Sequence, residues 1–340
     1  MSTATLSLKE RYQDFKIENP KVRIRDAAKQ LGVSEAELLA SSVGENVIRL
    51  TGDFRELLKE VPTLGYVMAL TRNESCVHER KGIYEKVSFN NHVGLVLGED
   101  IDLRLFMTHW KFGFAVNENN LSLQFFDKDG EAVHKIFLQE SSNVEAYHQI
   151  VSRYTDPIQS SFIETEAYPA PEPEKKNEEI DIAGFQADWL ALKDTHEFFP
   201  LLRKYGVARE QALHLAPEGY AQAISVAQVK AILGEASATS LEIMIFVSSN
   251  GCIQIHTGLI QKLVLMGPWF NVLDPKFNLH LREDQIAQAW IVKKPTNDGI
   301  VTSIELFDEA KAQIALIFGK RKPGKPELEA WRKVIANHVE

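Results

Sequence analysis

An internal duplication constrains this chain of 340 residues more than any other feature. Phe126 and Phe307 each precede an aspartate, and aligning them places residues 136–137 over residues 317–318, which are Ile-Phe in both copies. Two further pairs of segments match: residues 91–110 with 250–269 and, after a short insertion, residues 145–147 with 329–331. Because the repeat is far longer than a solenoid unit, it predicts two homologous domains, each with its own core.

The order of sequence patterns is the same in both copies. Helical periodicity comes first, then runs rich in Val, Ile, Phe and Leu between turn residues, and then a last helical segment. This order predicts an α+β fold in which each domain has N-terminal helices, a large antiparallel sheet and a C-terminal helix. Residues 164–183 are rich in Pro, Glu and Lys and predict a linker between domains at residues 1–163 and 184–340.

Composition limits the classes of function. The formal net charge of −9 argues against general binding to nucleic-acid phosphates. No apolar run reaches the roughly 20 residues of a membrane span, and the N-terminus lacks an apolar signal region, so we expect a cytoplasmic protein that is not embedded in a membrane. The two cysteines, Cys76 and Cys252, are too far apart for a CxxC metal knuckle. No HExxH, phosphate-loop or GxSxG motif supports hydrolase or nucleotide chemistry.

A histidine distinguishes the second copy from the first. Gly32 aligns with Gly206, and the same register places His196 opposite Val22. Asp194 can cap a helix that begins here, so we expect the imidazole at the first turn of that helix. An imidazole can bind a metal ion and valine cannot. The alternative is an ordinary surface or capping histidine.

Cationic residues also differ between the copies. In the alignment of residues 91–110, Arg104 stands opposite Leu263, with Phe106 on the same face of a predicted strand. An arginine at a strand edge, or one paired with Asp102, is the structural alternative. In addition, Arg209 replaces an acidic residue of the first copy, and the basic sequence FGKRKP (residues 318–323) replaces FLQE. Such a run is also typical of a solvated face.

Six segments, in this order, resemble the HemS/ChuS/HmuS family of bacterial cytoplasmic haem-binding and haem-degrading proteins. They are NESCVHERKG (residues 73–82), IDLRLF (101–106), THEFFPLLRKYG (195–206), GCIQIHTG (251–258), MGPWFNVLDPKFNLHL (266–281) and FGKRKPG (318–324). The resemblance covers essentially the whole chain, including the duplication. No segment is a catalytic signature by itself, so the likeness rests on their common order.

The resemblance implies a haem held between the second domain and the sheet of the first. His196 then looks like the proximal ligand of the iron, and Arg104 like the distal hydrogen-bond donor, because a guanidinium cannot ligate. Further residues implied in the site are Arg209, Lys294 and Arg321 for the haem carboxylates, and Phe106 and Phe318 along the ring. Lys293 and Lys294 are adjacent in a strand, so only one of them can face the site.

Two functions are compatible with this resemblance. The first is a haem-degrading enzyme that opens the porphyrin ring and releases iron, with electrons from an external donor because no flavin or dinucleotide fold is predicted. The second is a carrier that receives haem from a membrane ABC importer and passes it to a separate haem oxygenase. A third reading, a purely structural duplicated module, predicts no stoichiometric haem uptake.

Overall fold

The computed structural model describes residues 6–90, 93–118, 120–322 and 324–339. By their contacts these form two compact units. Unit 1 contains Met1–Arg72, Glu79–Pro169 and Ser248–Gln254, and unit 2 contains Asn73–His78, Ala170–Val247 and Ile255–Glu340. The units therefore differ from the continuous ranges 1–163 and 184–340, because each includes a short segment of the other repeat. The change from one unit to the other after Pro169 lies within the predicted linker.

In the part of unit 1 that the structure describes there are five α-helices and two antiparallel ladders. Its helices are α1 (Leu8–Glu18), α2 (Ile24–Leu31), α3 (Glu35–Ala40), α4 (Phe54–Glu60) and α5 (Val144–Tyr154). Its strands are β1 (Val47–Leu50), β2 (Tyr66–Arg72), β4 (Ser88–Phe89), β5 (Gly94–Leu97), β6 (Asp102–Leu105), β7 (Phe112–Glu118), β8 (Asn120–Phe126) and β9 (Ala132–Leu138), and β3 (Cys76–Ile83) divides between the units. One ladder runs β1-β7-β8-β9-β2 and the other β4-β5-β6.

Unit 2 repeats this architecture. Its helices are α6 (Ile182–Leu190), α7 (Phe198–Tyr205), α8 (Arg209–His214), α9 (Val226–Ala238) and α10 (Glu329–Val339). Its strands are β10 (Ala221–Ile224), β11 (Ile243–Ser248), β13 (Leu263–Met266), β14 (Trp269–Leu273), β15 (Phe277–Arg282), β16 (Gln288–Thr296), β17 (Gly299–Phe307) and β18 (Gln313–Gly319), while β12 (Cys252–Gly258) divides between the units. The ladders are β10-β16-β17-β18-β11 and β13-β14-β15.

Two local features confirm the duplication. The β8–β9 register shifts between Phe125 and Phe126, and the β17–β18 register shifts between Leu306 and Phe307, so the aligned phenylalanines occupy the same irregular position. Gly32 and Gly206 both end a helix in the left-handed conformation, with φ of 71° and 64°. A glycine adopts this conformation without the steric cost that a Cβ would add. The predicted α+β class is also confirmed.

One predicted alignment, residues 91–110 with 250–269, is wrong; its first residue, Asn91, lies outside the described residues. Strands β6 and β15 hold equivalent places, each ending a three-stranded ladder. The N–H of Phe106 donates to the carbonyl of Gly251, just before Cys252, at 2.9 Å. In the same way, the N–H of Arg282 donates to the carbonyl of Ser75, just before Cys76, at 2.8 Å. Phe106 is therefore equivalent to Arg282, and two residues earlier Arg104 is equivalent to His280 rather than to Leu263. The sequence match had paired strands that occupy different places.

The predicted separation of helices from strands is only approximate. Strand β1 precedes α4, and β10 precedes α9, so each unit places its first strand among the helices. The runs rich in Val, Ile, Phe and Leu do not indicate α4, which lies between β1 and β2. Asp53 begins this helix by accepting a hydrogen bond from the N–H of Arg55 at 2.9 Å. Among the described residues, no helix has both the length and the apolar character needed to cross a membrane.

The segment Ser248–Gln254 is part of the core of unit 1. The carbonyl of Gly251 accepts hydrogen bonds from the indole of Trp110 at 2.9 Å and from the N–H of Phe106 at 2.9 Å. Cys252 is fully buried in the same hydrophobic cluster as Trp110. Its thiol accepts from the Thr71 hydroxyl at 3.4 Å. These contacts explain why a piece of the second repeat belongs to the first unit.

Candidate functional site

His196 lies on a short 3₁₀ turn, Thr195–Glu197, directly before α7 of unit 2. A reciprocal capping box fixes the turn: the Asp194 carboxylate accepts from the N–H of His196 at 2.8 Å, and Glu197 accepts from the N–H of Asp194 at 3.3 Å. His196 therefore lies at the start of a helix, as the sequence predicts. The His196 side chain itself is 93% exposed, so the turn presents an imidazole to its surroundings.

Asp194 determines which nitrogen of His196 is available. Its Oδ1 lies 2.6 Å from Nδ1 of the imidazole. The N–H of His196 lowers the pKa of Asp194 below its ordinary value, so this side chain is ionised and can only accept. Nδ1 must then carry the proton, and in the neutral ring Nε2 keeps its lone pair. A histidine oriented in this way by a carboxylate is the usual form of a metal-binding histidine.

Arg321 connects the His196 turn to the sheet of unit 2. Its Nη1 lies 3.5 Å from the hydroxyl of Thr195, and its charge contributes to the lowered pKa of Asp194. Within the described part of the chain, the buried Nε of Arg321 has no hydrogen-bond partner. Phe318, three residues earlier on β18, is partly exposed and packs edge-on against Phe246 at 5.3 Å. Arg321 thus lies beside the histidine turn, and the strand that leads to it carries a partly exposed phenylalanine.

Arg209 and Lys294 are not free cations. Glu305, fully buried on β17, accepts from Nζ of Lys294 at 2.6 Å and from Nε and Nη2 of Arg209 at 2.8 and 3.0 Å. Lys294 is only 3% exposed, whereas the adjacent Lys293 is exposed. Both residues were expected from the resemblance to bind carboxylates of a ligand. In the structure both residues bind an internal carboxylate, and the alternation of β16 turns Lys294 towards Glu305.

Unit 1 contains a similar cluster of one carboxylate and two cations, but there the carboxylate belongs to a helix. Glu35, the first residue of α3, is buried and binds Arg72 and Lys135. In unit 2 the equivalent first helical residue is Arg209, and the carboxylate comes from the sheet. Burial alone would raise the pKa of Glu35 and of Glu305, but their paired cations outweigh burial and lower each to about 2. Both carboxylates are therefore ionised at neutral pH.

These two clusters predict a steep loss of stability in acid. Because the folded pKa values lie near 2 and the ordinary value is 4.5, the stabilisation is complete above about pH 5 and is lost as the pH falls towards 2. Each carboxylate contributes on the order of 3 kcal/mol. Urea unfolding between about pH 7 and pH 3 should show this loss, and Glu35→Gln or Glu305→Gln should flatten it. An unchanged pH slope in both variants would contradict the assignment.

Arg104 and Phe106 belong to unit 1. Arg104 is on β6, where Leu103 and Leu105 on either side of it point into the core. Its guanidinium pairs with Asp102 and also donates to the carbonyl of Leu103 at 3.1 Å, and its side chain remains 32% exposed. Burial raises the pKa of Asp102 despite this pairing. The structural alternative for Arg104, a pair with Asp102, is therefore present, and part of the side chain remains accessible.

Glu305 is the residue of this site that the sequence did not reveal. It lies within TSIEL, a strand that otherwise has the pattern of a buried segment. The aligned position in the first copy is Gln124, so a comparison of the copies could have drawn attention to a carboxylate unique to the second. Its partners come from β16 and α8, which the sequence pattern does not bring together.

Comparisons with known proteins place this architecture in one family. The domain described as haemin-degrading HemS.ChuX matches residues 32–154 and 206–338, once in each repeat. The hemin transport protein HemS of Yersinia enterocolitica is 38% identical over 336 residues, covering 97% of this chain and 96% of that protein. The match therefore extends over nearly the full length of both sequences.

Solved structures agree with this match. Holo-PhuS, a heme-binding protein from Pseudomonas aeruginosa, superposes with a TM-score of 0.95 at 45% identity, covering 97% of this chain and 98% of PhuS. The heme degrading enzyme ChuS of Escherichia coli O157:H7 superposes with a TM-score of 0.91 at 35% identity, covering 98% and 99%. With the domain matched in both repeats and the relatives matched almost end to end, the chain belongs to the HemS family.

Proposed function

We propose that this protein binds haem in the cytoplasm, with Nε2 of His196 as an axial ligand of the iron. The observation that carries this proposal is the exposed imidazole whose Nδ1 is held by Asp194. Only Nε2 is then free to donate a lone pair, and it is presented to solvent. PhuS, at 45% identity, is a heme-binding protein whose holo structure is known, which supports the same ligand for this chain.

The residues near His196 fit the chemistry of haem. Haem supplies an iron atom with axial positions, a flat apolar ring and two carboxylates. Phe318 and Phe246 provide a partly exposed aromatic face, and Arg321 provides a guanidinium whose Nε has no partner among the residues described. We propose Arg321 as the residue that binds a haem carboxylate, since its fork matches that group. Arg209, which is 27% exposed and keeps N–H donors that Glu305 does not use, is proposed for the second carboxylate, whereas Lys294 is buried against Glu305.

Asp194 is predicted to contribute to haem affinity through His196. Replacing Asp194 with alanine removes the acceptor at Nδ1 and frees the imidazole to rotate or change tautomer. We expect haem affinity to fall about 10- to 100-fold, the usual effect of losing the partner of a ligating histidine. Titration with hemin measures this, and Asp194→Asn, which keeps an acceptor oxygen, should lose less. Equal affinity of the alanine variant and the wild type would count against the role of Asp194.

We further propose that the bound haem is opened to release iron, with electrons from an external donor. ChuS, at 35% identity, is a heme degrading enzyme, and the family domain is described as haemin-degrading. Arg104 is the proposed hydrogen-bond donor in this reaction, and Phe106 the proposed contact with the ring. The second candidate is a carrier between a haem importer and a separate oxygenase, which the name of the hemin transport protein HemS favours.

Product analysis separates the two functions. The haem complex is incubated with ascorbate or NADH, with catalase as a control for free peroxide. An open tetrapyrrole and chelatable iron indicate the enzyme. An unchanged Soret band together with rapid transfer to an apo-acceptor indicates the carrier.

Arg104→Ala is predicted to slow ring opening without preventing haem binding. Loss of a hydrogen-bond donor that acts during the reaction typically costs on the order of 100-fold in rate. The matched control is Arg55→Ala, because Arg55 forms a similar local pair with Asp53 two residues away. Single-turnover rates under identical reductant compare the variants. A wild-type rate for Arg104→Ala would remove this residue from the proposed mechanism.

A further inference from the structure

The cluster around Glu305 is connected to the His196 turn through one aromatic ring. Phe198 is the first residue of α7 and lies two positions after His196. Its ring is 1% exposed and packs edge-on against Trp189 at 4.6 Å. Nζ of Lys294 lies 4.5 Å from the centre of this ring, and the guanidinium carbon of Arg209 lies 5.4 Å from it. Two cations held by one carboxylate thus contact the side chain that anchors the start of α7.

Glu305 has nearly all of its hydrogen-bonding capacity in use. Oε1 accepts from Lys294 at 2.6 Å, from Arg209 at 3.0 Å and from the Ser303 hydroxyl at 3.3 Å, while Oε2 accepts from Arg209 at 2.8 Å. Arg209 uses two of its five N–H donors on Glu305 and its side chain is 27% exposed, whereas Lys294 is only 3% exposed. Lys294 is therefore held inside the cluster, while Arg209 keeps N–H donors that Glu305 does not use.

The elements that the cluster joins explain what it does. Lys294 is on β16, Glu305 on β17, and Arg209 begins α8, so one carboxylate ties this helix to the sheet. Cations over an aromatic face attract it, and this attraction is stronger when the groups are buried. Phe198 is therefore in contact with Lys294, Arg209 and Trp189. His196 is only two residues before Phe198, so the position of this ring constrains the backbone that carries the imidazole.

We propose that Glu305 is a positioning residue for His196. By fixing Arg209 and Lys294 against Phe198, it sets the direction in which the imidazole presents Nε2. This inference rests on the proposed function, because it concerns the ligand of the haem iron. It assigns Arg209 and Lys294 a role in supporting the ligand-bearing turn.

The test compares two matched variants, Glu305→Gln and Glu35→Gln. Both remove a buried carboxylate bound to two cations, but Glu35 belongs to unit 1. Each variant should lose stability to urea. Only Glu305→Gln should release hemin faster, by about 10- to 100-fold, and show an altered ferric absorption and spin-state spectrum. Glu305→Asp, which keeps the charge, should recover part of the wild-type spectrum.

A wild-type release rate and spectrum for Glu305→Gln would overturn the proposal, as would equal changes in Glu35→Gln. If Glu305→Gln does not fold, Phe198→Leu replaces it, because leucine keeps apolar volume and removes the ring that the cations contact. The same spectral change is expected there, and its absence would also overturn the proposal. His196→Ala is measured in parallel. If that variant keeps the wild-type spectrum, axial ligation by His196 is itself wrong, which distinguishes this failure from that of Glu305 alone.

Discussion

Replacing His196 with alanine is expected to lower haem affinity at least about 100-fold and to remove the histidine signature from the ferric spectrum. The loss exceeds that expected for Asp194→Ala because the lone pair itself is removed. His196 is exposed and its bonds to Asp194 are local, so the substitution should leave the fold intact. Hemin titration followed by absorption and electron paramagnetic resonance spectra measures both effects.

The matched control for this prediction is His214→Ala. His214 is also a partly exposed histidine of unit 2 in contact with a carboxylate, its Nε2 lying 2.7 Å from Glu210. In this residue the carboxylate occupies Nε2 rather than Nδ1, and its exposed fraction is 52%. Wild-type affinity and spectrum are expected for the control. If both variants behave alike, the special role of His196 is refuted.

Residues 1–169 expressed alone are expected not to fold cooperatively. The fragment lacks Ser248–Gln254, so the indole of Trp110 loses its acceptor, the carbonyl of Gly251. A buried donor without a partner costs about 1–3 kcal/mol, and the buried volume of Cys252 is lost as well. Such losses are a large part of the total stability of about 5–15 kcal/mol that is typical of a domain. Near-UV circular dichroism and urea unfolding report the outcome.

A control and a point substitution sharpen this test. Co-expression with residues 170–340 supplies the missing segment and should restore the cooperative transition. In the full chain, Gly251→Val should be strongly destabilising, because a Cβ at this position would lie 2.8 Å from Cγ1 of Val133 and 3.1 Å from Nε1 of Trp110. A fragment 1–169 with a full cooperative transition would show that the exchanged segment is dispensable.

The duplication and most of the elements could be predicted from the sequence because the signals are local. Ser34 followed three residues later by Glu37 is a capping-box pattern, and the structure has this capping box; the matched residues 145–147 lie within α5. Gly32 and Gly206 end helices, as their alignment implied. Periodicity, capping residues and glycines each act over a few positions, so they can be recognised without knowledge of the fold.

The exchange of segments could not be predicted in this way. Sequence separation gives no indication that Cys252 packs in the core of unit 1, since its contacts are made with residues more than a hundred positions away. The false match of residues 91–110 with 250–269 has a related cause. Short strands share similar apolar residues, so an ungapped alignment can join strands that occupy different places in a sheet. The pairing partners, which the sequence does not contain, decide between such alignments.

The candidate site was partly accessible to sequence reasoning. His196 could be singled out because it replaces an inert valine, and the capping role of Asp194 follows from its spacing. The ion pair between Lys294 and Glu305 could not be predicted, because the two residues come together only through the pairing of β16 with β17. Alternation along β16 predicted that one of the two adjacent lysines is buried, but not which one.

The central claim is that Nε2 of His196 binds the iron of haem. A crystal structure of the protein loaded with hemin, with anomalous diffraction recorded at the iron edge, tests it most directly. We predict an iron peak at coordination distance from Nε2 of His196, with Nδ1 still bonded to Asp194. Iron bonded to a different residue, or a hemin bound with His196 turned away from it, would contradict the account.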